Sequence, residues 1–470
     1  MHGAPLMLSV SGARGIVGRS MTPPVAAEFA AAFGSWLRER LHAGREALRG
    51  DERPSVCVGR DTRPSGGLLA GAAIAGLRAT GCDVVDLGVV TTPTVGVMIG
   101  ELRASGGLVV TASHNPIEWN GIKCLGSDGA APPKAEADAL VSRFRAGEID
   151  YAASDRLGGL SSAGHGHAVH VQRVLGLVDV DAIHRRRFTV VLDSVNGAGC
   201  VPGRMLLEAL GCRIEQLNGE PTGRFAHPPE PTETNLTGLC AAVRACGEAA
   251  VGFAQDPDAD RLAIVDERGA WIGEEYTLVL AARRMLALRG PGALAANLST
   301  SRMIDDVASA HPGASVLRSA VGEANVVAAM KRAGARIGGE GNGGVIVPEV
   351  CFVRDSLSAM ALVLDSLAAE DRPLSAIVGE IPRYEIIKHS FEIAALGGAE
   401  AIPRLVERAH RRFAGERIDE SDGIRIDVAD GWVHLRPSNT EPIVRLIAEA
   451  PTRERAWELL DEVAVAAGLK

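Results

Sequence analysis

Asp256, Asp258 and Asp260 alternate in the stretch DPDADR, directly after the apolar run AAVGFAQ. In extended backbone, residues at i, i+2 and i+4 point to one side, which would bring three carboxylates together. Such a cluster calls for a hard cation to offset its repulsion. Three side chains leave coordination positions for water or phosphate, which suits Mg²⁺. A solvated acidic turn is the alternative, and the apolar strands on both sides favour the metal. A calcium loop of the EF-hand kind does not fit. Glu267 stands at the twelfth position from Asp256, but the sixth is Arg261 where glycine is needed, and LAIV after it reads as a strand.

Three further polar loops carry chemistry. Thr111-Ala112-Ser113-His114-Asn115-Pro116 follows the apolar strand GGLVV, so it is exposed at the carboxyl edge of a sheet, where α/β proteins bind ligands. Ser113 is not in a GxSxG elbow, which argues against an acyl nucleophile. Its hydroxyl could instead carry a phosphoryl group and split one transfer into two. Lys123, in NGIK, could neutralise phosphate oxygens or serve as an acid or base. An ordinary surface loop is the competing reading. In GGEGNGG, from Gly338 to Gly344, five glycines let the backbone approach a ligand or adopt positive φ, and Glu340 and Asn342 could bond sugar hydroxyls. A tight turn explains that loop equally well. RPSNTEP, from Arg436 to Pro442, with Arg445 beyond it, offers two guanidinium groups around Ser438, Asn439 and Thr440. That set reads either as a phosphate cradle or as a charged hairpin end.

The elements that must position these loops recur. Ser55–Gly88, Thr189–Asn218 and Ala293–Ser319 each read as strand, polar turn, helix, glycine (Gly81, Gly211, Gly313) and strand. Strand–helix–strand repeats imply mainly parallel pairing with helices on the sheet faces, hence three related α/β domains. The Gly/Ser/His-rich stretch RLGGLSSAGHGHAV, from Arg156, lacks periodicity and reads as a linker. The tail differs: strand YEIIKHSFEI, helix AEAIPRLVERAHRRF, a hairpin turning at Asp430-Gly431, another strand and a closing helix make a smaller α+β domain. The expected borders are 1–162, 163–266, 267–382 and 383–470.

A chain of 470 residues needs several cores, and 46 % hydrophobic residues supply them. The net charge of −9 argues against nucleic acid as a partner. Eight cysteines without CxxC spacing fit buried thiols in a reducing compartment. The N-terminal MHGAPLMLSVSGARG lacks the pattern of a signal peptide, and no uncharged apolar run reaches the ~18 residues of a membrane span. The expectation is a cytoplasmic protein.

In their order and rough spacing, the four loops resemble those of the α-D-phosphohexomutase family, over nearly the whole chain. TASHNP is similar to the family's phosphoserine loop, DPDADR to its magnesium loop, GEGNGG to its sugar-recognition loop and RPSNTEP to its phosphate-binding loop. The resemblance implies three α/β domains plus a smaller fourth around a central cleft. It makes Ser113 the phosphoserine, with Asp256, Asp258 and Asp260 holding Mg²⁺ together with an oxygen of that phosphate. Arg14 (in SGARG), Arg261, His114 and Lys123 would lie beside it. Glu340 and Asn342 would hold the sugar, and Arg436, Ser438, Asn439, Thr440 and Arg445 the phosphate that is not reacting. It further implies interconversion of hexose 6-phosphate and 1-phosphate through a 1,6-bisphosphate, which also primes Ser113. The EGNGG-type loop leans to glucosamine phosphate, and broad phosphomannomutase/phosphoglucomutase specificity is the alternative. A sugar-phosphate phosphatase or an inactive sugar-phosphate-binding paralogue are alternatives of another class.

Overall fold

The computed structural model describes residues 6–42, 53–396, 398–438 and 443–470. The expected repeats are present. Strands Ser55–Arg60 and Asp83–Val89 pair in parallel around the helix Gly66–Ala79. Thr189–Asp193 and Arg213–Leu217 do so around Cys200–Ala209, and Ala293–Asn297 and Ser315–Ser319 around Met303–Ser309. Gly81, Gly211 and Gly313 follow the three helices with φ of +82°, +72° and +92°.

The likeness extends beyond these cores. In each unit the first strand also pairs in parallel with a later one (Gly106–Val110, Ala249–Gln255 and Ile337–Glu340). That later strand in turn pairs antiparallel with the next strand in sequence (Trp119–Gly126, Leu262–Val265 and Gly344–Ile346). The Ser113, Asp256–Asp260 and Glu340–Asn342 loops therefore occupy the same topological turn in three successive units. The first sheet extends this frame on both sides with Met7–Ser9, Gly12–Ile16 and Leu160–Ser162. The last of these corrects the linker expectation. Leu160–Ser162 adds a parallel strand to Asp83–Val89, and the helix Gly166–Leu175 follows at once. Edge pairing uses backbone groups alone, so no side-chain period announced it.

The fourth unit is a five-stranded antiparallel sheet closed by the helices Ile402–Arg412 and Arg453–Ala467. Its hairpin turns one residue earlier than expected: Gly431 is the first residue of strand Gly431–Pro437, paired with Val428. Glycine is needed there because a Cβ would lie 2.2 Å from the Glu449 carbonyl. One continuous apolar cluster runs from Cys57 to Ile381 through the first three units, whereas the fourth has its own, from Ile387 to Ala467. Polar contacts dock it: Arg425 donates to the Leu298 carbonyl, Ser299 meets His434, and the Arg302 amide donates to Glu449. Among the described residues no helix is long and apolar enough to cross a membrane, and all eight cysteines are free.

Candidate active site

The three turns meet. Asp256, Asp258 and Asp260 are fully buried, with carboxylate oxygens within 4.8 Å of one another. They converge through a turn and not along an extended strand. The Ala259 amide donates to the Asp256 carbonyl, and Ala259 takes φ +55°. Asp256 Oδ1 accepts from the amides of Asp260 and Arg261, fixing the turn from inside. Asp256 Oδ2 accepts the Ser113 hydroxyl at 3.0 Å.

Cations from two other units face these acids. Lys123 Nζ donates to Asp258 Oδ2 at 2.7 Å and to Asp260 Oδ2 at 2.9 Å. Arg354 donates to Asp260 Oδ2 at 2.7 Å and to Glu340 Oε2 at 2.9 Å, and pairs with Glu323. Burial opposes charge on Asp260, but Arg354, Lys123 and Arg261 hold its carboxyl well below the usual range. Burial, together with repulsion from Asp260 and Asp258, pushes Asp256 well above it. Burial likewise works against the Lys123 ammonium, and Asp258 and Asp260 more than compensate.

The donor set fits a divalent cation. Oδ1 of Asp258 and Oδ1 of Asp260 are buried with no hydrogen-bond partner, which costs roughly 1–3 kcal/mol each unless something binds there. Hard carboxylate oxygens with room for further oxygen ligands suit Mg²⁺. Thr92, at the start of the helix Thr92–Leu102, steadies Asp258 twice, donating its hydroxyl to Oδ2 and its amide to the carbonyl.

Ser113 is buried and takes φ +50°, a left-handed conformation that strains a residue with a Cβ. The clamp that imposes it was not read from the sequence. Arg63, fully buried, uses all five of its N–H donors: Nε on Asp61, and the rest on the carbonyls of Ser113, Asn115, Pro116 and Trp119. Asp61 also accepts the Thr111 hydroxyl, whose oxygen accepts the Ser113 amide. Asp61 and Arg63 follow a strand that ends at the same sheet edge as the Ser113 loop, and that shared edge was the available signal. Lysine cannot satisfy five planar positions. We expect Arg63→Lys to lower stability by about 3 kcal/mol. A melting temperature within a degree of wild type would show that the clamp carries no such load.

The remaining expected residues fall into two groups. His114 Nδ1 is 3.3 Å from Ser113 Oγ, and burial plus Arg261 and Arg14 push its pKa down to about 2, so it is uncharged here. Arg14 donates to Asn115, and burial pushes its guanidinium below the usual range, with Asp258 and Asp260 opposing the shift. Arg261 keeps its buried Nε without a partner. In the third loop Glu340 accepts from Asn297, Gly322 and Arg354, and Asn342 contacts Glu340. Of the five glycines, Gly343 takes the expected positive φ, +84°, and Gly341 also serves packing: a Cβ there would lie 2.0 Å from the Glu275 carboxylate.

The fourth loop stands apart from Ser113, joined to it through a polar chain. Arg436 Nε donates to Asp422, Asp422 accepts the Val321 amide, and the next amide, Gly322, donates to Glu340. Arg436 and Arg445 are directly opposite across an antiparallel pair, where like charges repel unless an anion lies between them. Ser438 donates its amide to the Ile443 carbonyl; Asn439 and Thr440 lie outside the described residues.

Comparison with known proteins agrees with this architecture. The family descriptions of phosphoglucomutase/phosphomannomutase α/β/α domains I, II and III match residues 7–149, 168–269 and 273–384, and that of the C-terminal domain matches 392–466. A Thermococcus kodakarensis protein named phosphoglucomutase/phosphomannomutase is 39 % identical over 96 % of each chain. A Methanopyrus kandleri protein named "Probable phosphoglucosamine mutase" is 40 % identical over 96 % of this chain and 95 % of its own. The crystal structure of a phosphoglucomutase/phosphomannomutase family protein from Burkholderia thailandensis superposes with a TM-score of 0.84 at 28 % identity, covering 98 % of each chain. With all four domains matched in order, the chain belongs to the phosphoglucomutase/phosphomannomutase family, the phosphohexomutases, and is an isomerase.

Proposed function

We propose that this enzyme interconverts hexose 6-phosphate and hexose 1-phosphate through phosphorylated Ser113, and that glucosamine phosphate is its preferred substrate. The carrying observation is the Ser113 hydroxyl on Asp256, beside acids whose free oxygens call for a cation. Asp256, Asp258 and Asp260 would hold Mg²⁺ together with an oxygen of the Ser113 phosphate. Bound there, the ion supplies neutralisation of charge on the transferred phosphoryl group.

The chain's own residues do the rest. Arg63 holds Ser113 in a strained geometry, and Arg14, Arg261 and Lys123 surround the phosphoryl oxygens. The free sugar hydroxyl attacks phosphorus and the bond to Ser113 Oγ breaks, giving a 1,6-bisphosphate. His114 is within reach of the proton that is exchanged. The bisphosphate turns over and returns its other phosphate to Ser113. Glu340 and Asn342 hold the sugar, while Arg436, Ser438, Asn439, Thr440 and Arg445 grip the distal phosphate. The separate core of the fourth domain supports its movement as a unit during that turn. The borders 1–162, 163–266, 267–382 and 383–470 and a cytoplasmic location complete the reading, the free thiols being suited to a reducing compartment.

Support for the glucosamine preference comes from the loop around Asn342 and from relatives such as the Methanopyrus protein. Phosphorus NMR with Mg²⁺, a trace of hexose 1,6-bisphosphate and separate glucosamine, glucose and mannose monophosphates tests it. Fastest interconversion is expected with glucosamine phosphate. Faster conversion of glucose or mannose phosphate would move the assignment to phosphoglucomutase/phosphomannomutase, and accumulation of inorganic phosphate alone would mean a phosphatase. Glu340→Gln is expected to raise KM about tenfold and to reorder the three sugars. Unchanged sugar preference would remove Glu340 from recognition.

A further inference from the structure

Between the strand Arg213–Leu217 and the helix Thr237–Cys246 runs a segment carrying a carboxylate, Glu230, that none of the roles above uses. Glu230 Oε1 lies 3.8 Å from Arg261 Nη1 and 3.9 Å from His114 Nε2. Both distances exceed a hydrogen bond, so the carboxylate offsets the Arg261 charge without being bonded to it. Its side chain is 50 % exposed, against 12 % for Arg261 and 28 % for His114. Withdrawal into water therefore costs little, while its two neighbours stay in place.

The backbone that delivers Glu230 is stiff. It lies in His227-Pro228-Pro229-Glu230-Pro231, and its carbonyl accepts from the Thr232 amide and from Asn235 Nδ2. His227 Nε2 is 3.1 Å from Asp193 Oδ2. Upstream, the Phe225 ring lies 5.0 Å from the Arg63 guanidinium. Gly223, at φ +69°, runs so close to Thr62 that a Cβ would sit 2.0 Å from its carbonyl oxygen. The segment is thus anchored on the same Asp61–Arg63 stretch that clamps the Ser113 loop. A half-exposed carboxylate on a rigid mount thus lies beside two groups that face the transferred phosphate.

We propose that Glu230 is an anion competitor in the phosphosugar site, screening Arg261 until an arriving phosphate displaces it. This inference rests on the mutase reading above. A mutase must let go of its bisphosphate at Ser113 before the intermediate can turn. Binding that is equally strong before and during transfer deepens the well of the intermediate without speeding the reaction. A tethered negative charge that reclaims Arg261 shallows that well.

The test measures binding of glucose 1,6-bisphosphate and of inorganic phosphate to the magnesium-loaded full chain by isothermal titration calorimetry. Steady-state conversion of sugar monophosphates is followed in parallel. Glu230→Gln is expected to bind both anions roughly tenfold more tightly, and to lower KM and kcat together. Glu230→Asp, which keeps the charge, should stay within a factor of about three of wild type. A purely structural role would lower the melting temperature or raise KM; it would not tighten anion binding. Unchanged or weaker binding in both Glu230→Gln and Glu230→Ala overturns the proposal. A wild type that binds the bisphosphate but converts no sugar phosphate would instead remove the mutase reading, leaving the binding comparison intact.

Discussion

Ser113→Ala is expected to lower interconversion of hexose phosphates by about four orders of magnitude or more, while leaving the fold and metal binding in place. The hydroxyl is the group to which phosphorus would be bonded, and no neighbouring side chain substitutes for it. Asp256 accepts from it and cannot both hold a cation and act as a phosphoryl carrier, and His114 Nδ1 lies 3.3 Å from the same oxygen. Truncation to alanine removes one hydrogen bond to Asp256 and keeps the Arg63 clamp, which acts on backbone carbonyls. The variant should therefore melt within a few degrees of wild type. Incubation with labelled hexose 1,6-bisphosphate followed by mass spectrometry of the intact chain should show a phosphate adduct on wild type and none on the variant. A variant that turns over at the wild-type rate would end the phosphoserine mechanism.

Asp258→Asn is expected to cost about three orders of magnitude in turnover and to weaken Mg²⁺ or Mn²⁺ binding by roughly a hundredfold. The substitution is nearly isosteric, so packing is kept and the loss isolates charge. Asp258 Oδ2 is shared by Lys123 and Thr92, whereas Oδ1 has no partner and is the oxygen left for a cation. An amide in its place would either turn its NH₂ toward Lys123, setting donor against donor, or present it to the metal. Titration calorimetry with Mn²⁺ reads the affinity directly, and raising the magnesium concentration should restore little of the rate. Wild-type metal affinity together with a wild-type rate in Asp258→Asn would remove Asp258 from the site. Loss of rate with intact affinity would limit Asp258 to positioning Lys123.

The chemistry-bearing loops were legible because each is local. TASHNP and DPDADR follow apolar strands, and that alone puts them at strand ends. The geometry inside them was not. Alternation of Asp256, Asp258 and Asp260 suggested an extended strand, but the backbone turns through Ala259, and the same acids converge by another route. The glycines around Glu340 promised positive φ or close approach, and Gly343 takes that φ, but that Gly341 makes room for Glu275 was not visible. Arg354 stood as one basic residue in an otherwise unremarked stretch, CFVRDSL, and Glu230 as one acid among prolines. Nothing in their immediate neighbours marked either as part of the site.

By itself the sequence determined three strand–helix–strand units, a distinct tail and the position of each reactive loop, because hydrophobic period and turn residues act over a few neighbours. Only the tertiary structure decided which charge meets which. Lys123 reaches across 135 positions to Asp258, and Arg354 across 94 to Asp260. Those pairings depend on three sheets presenting the same turn to one point. Packing of whole domains sets that arrangement, and no local pattern encodes it.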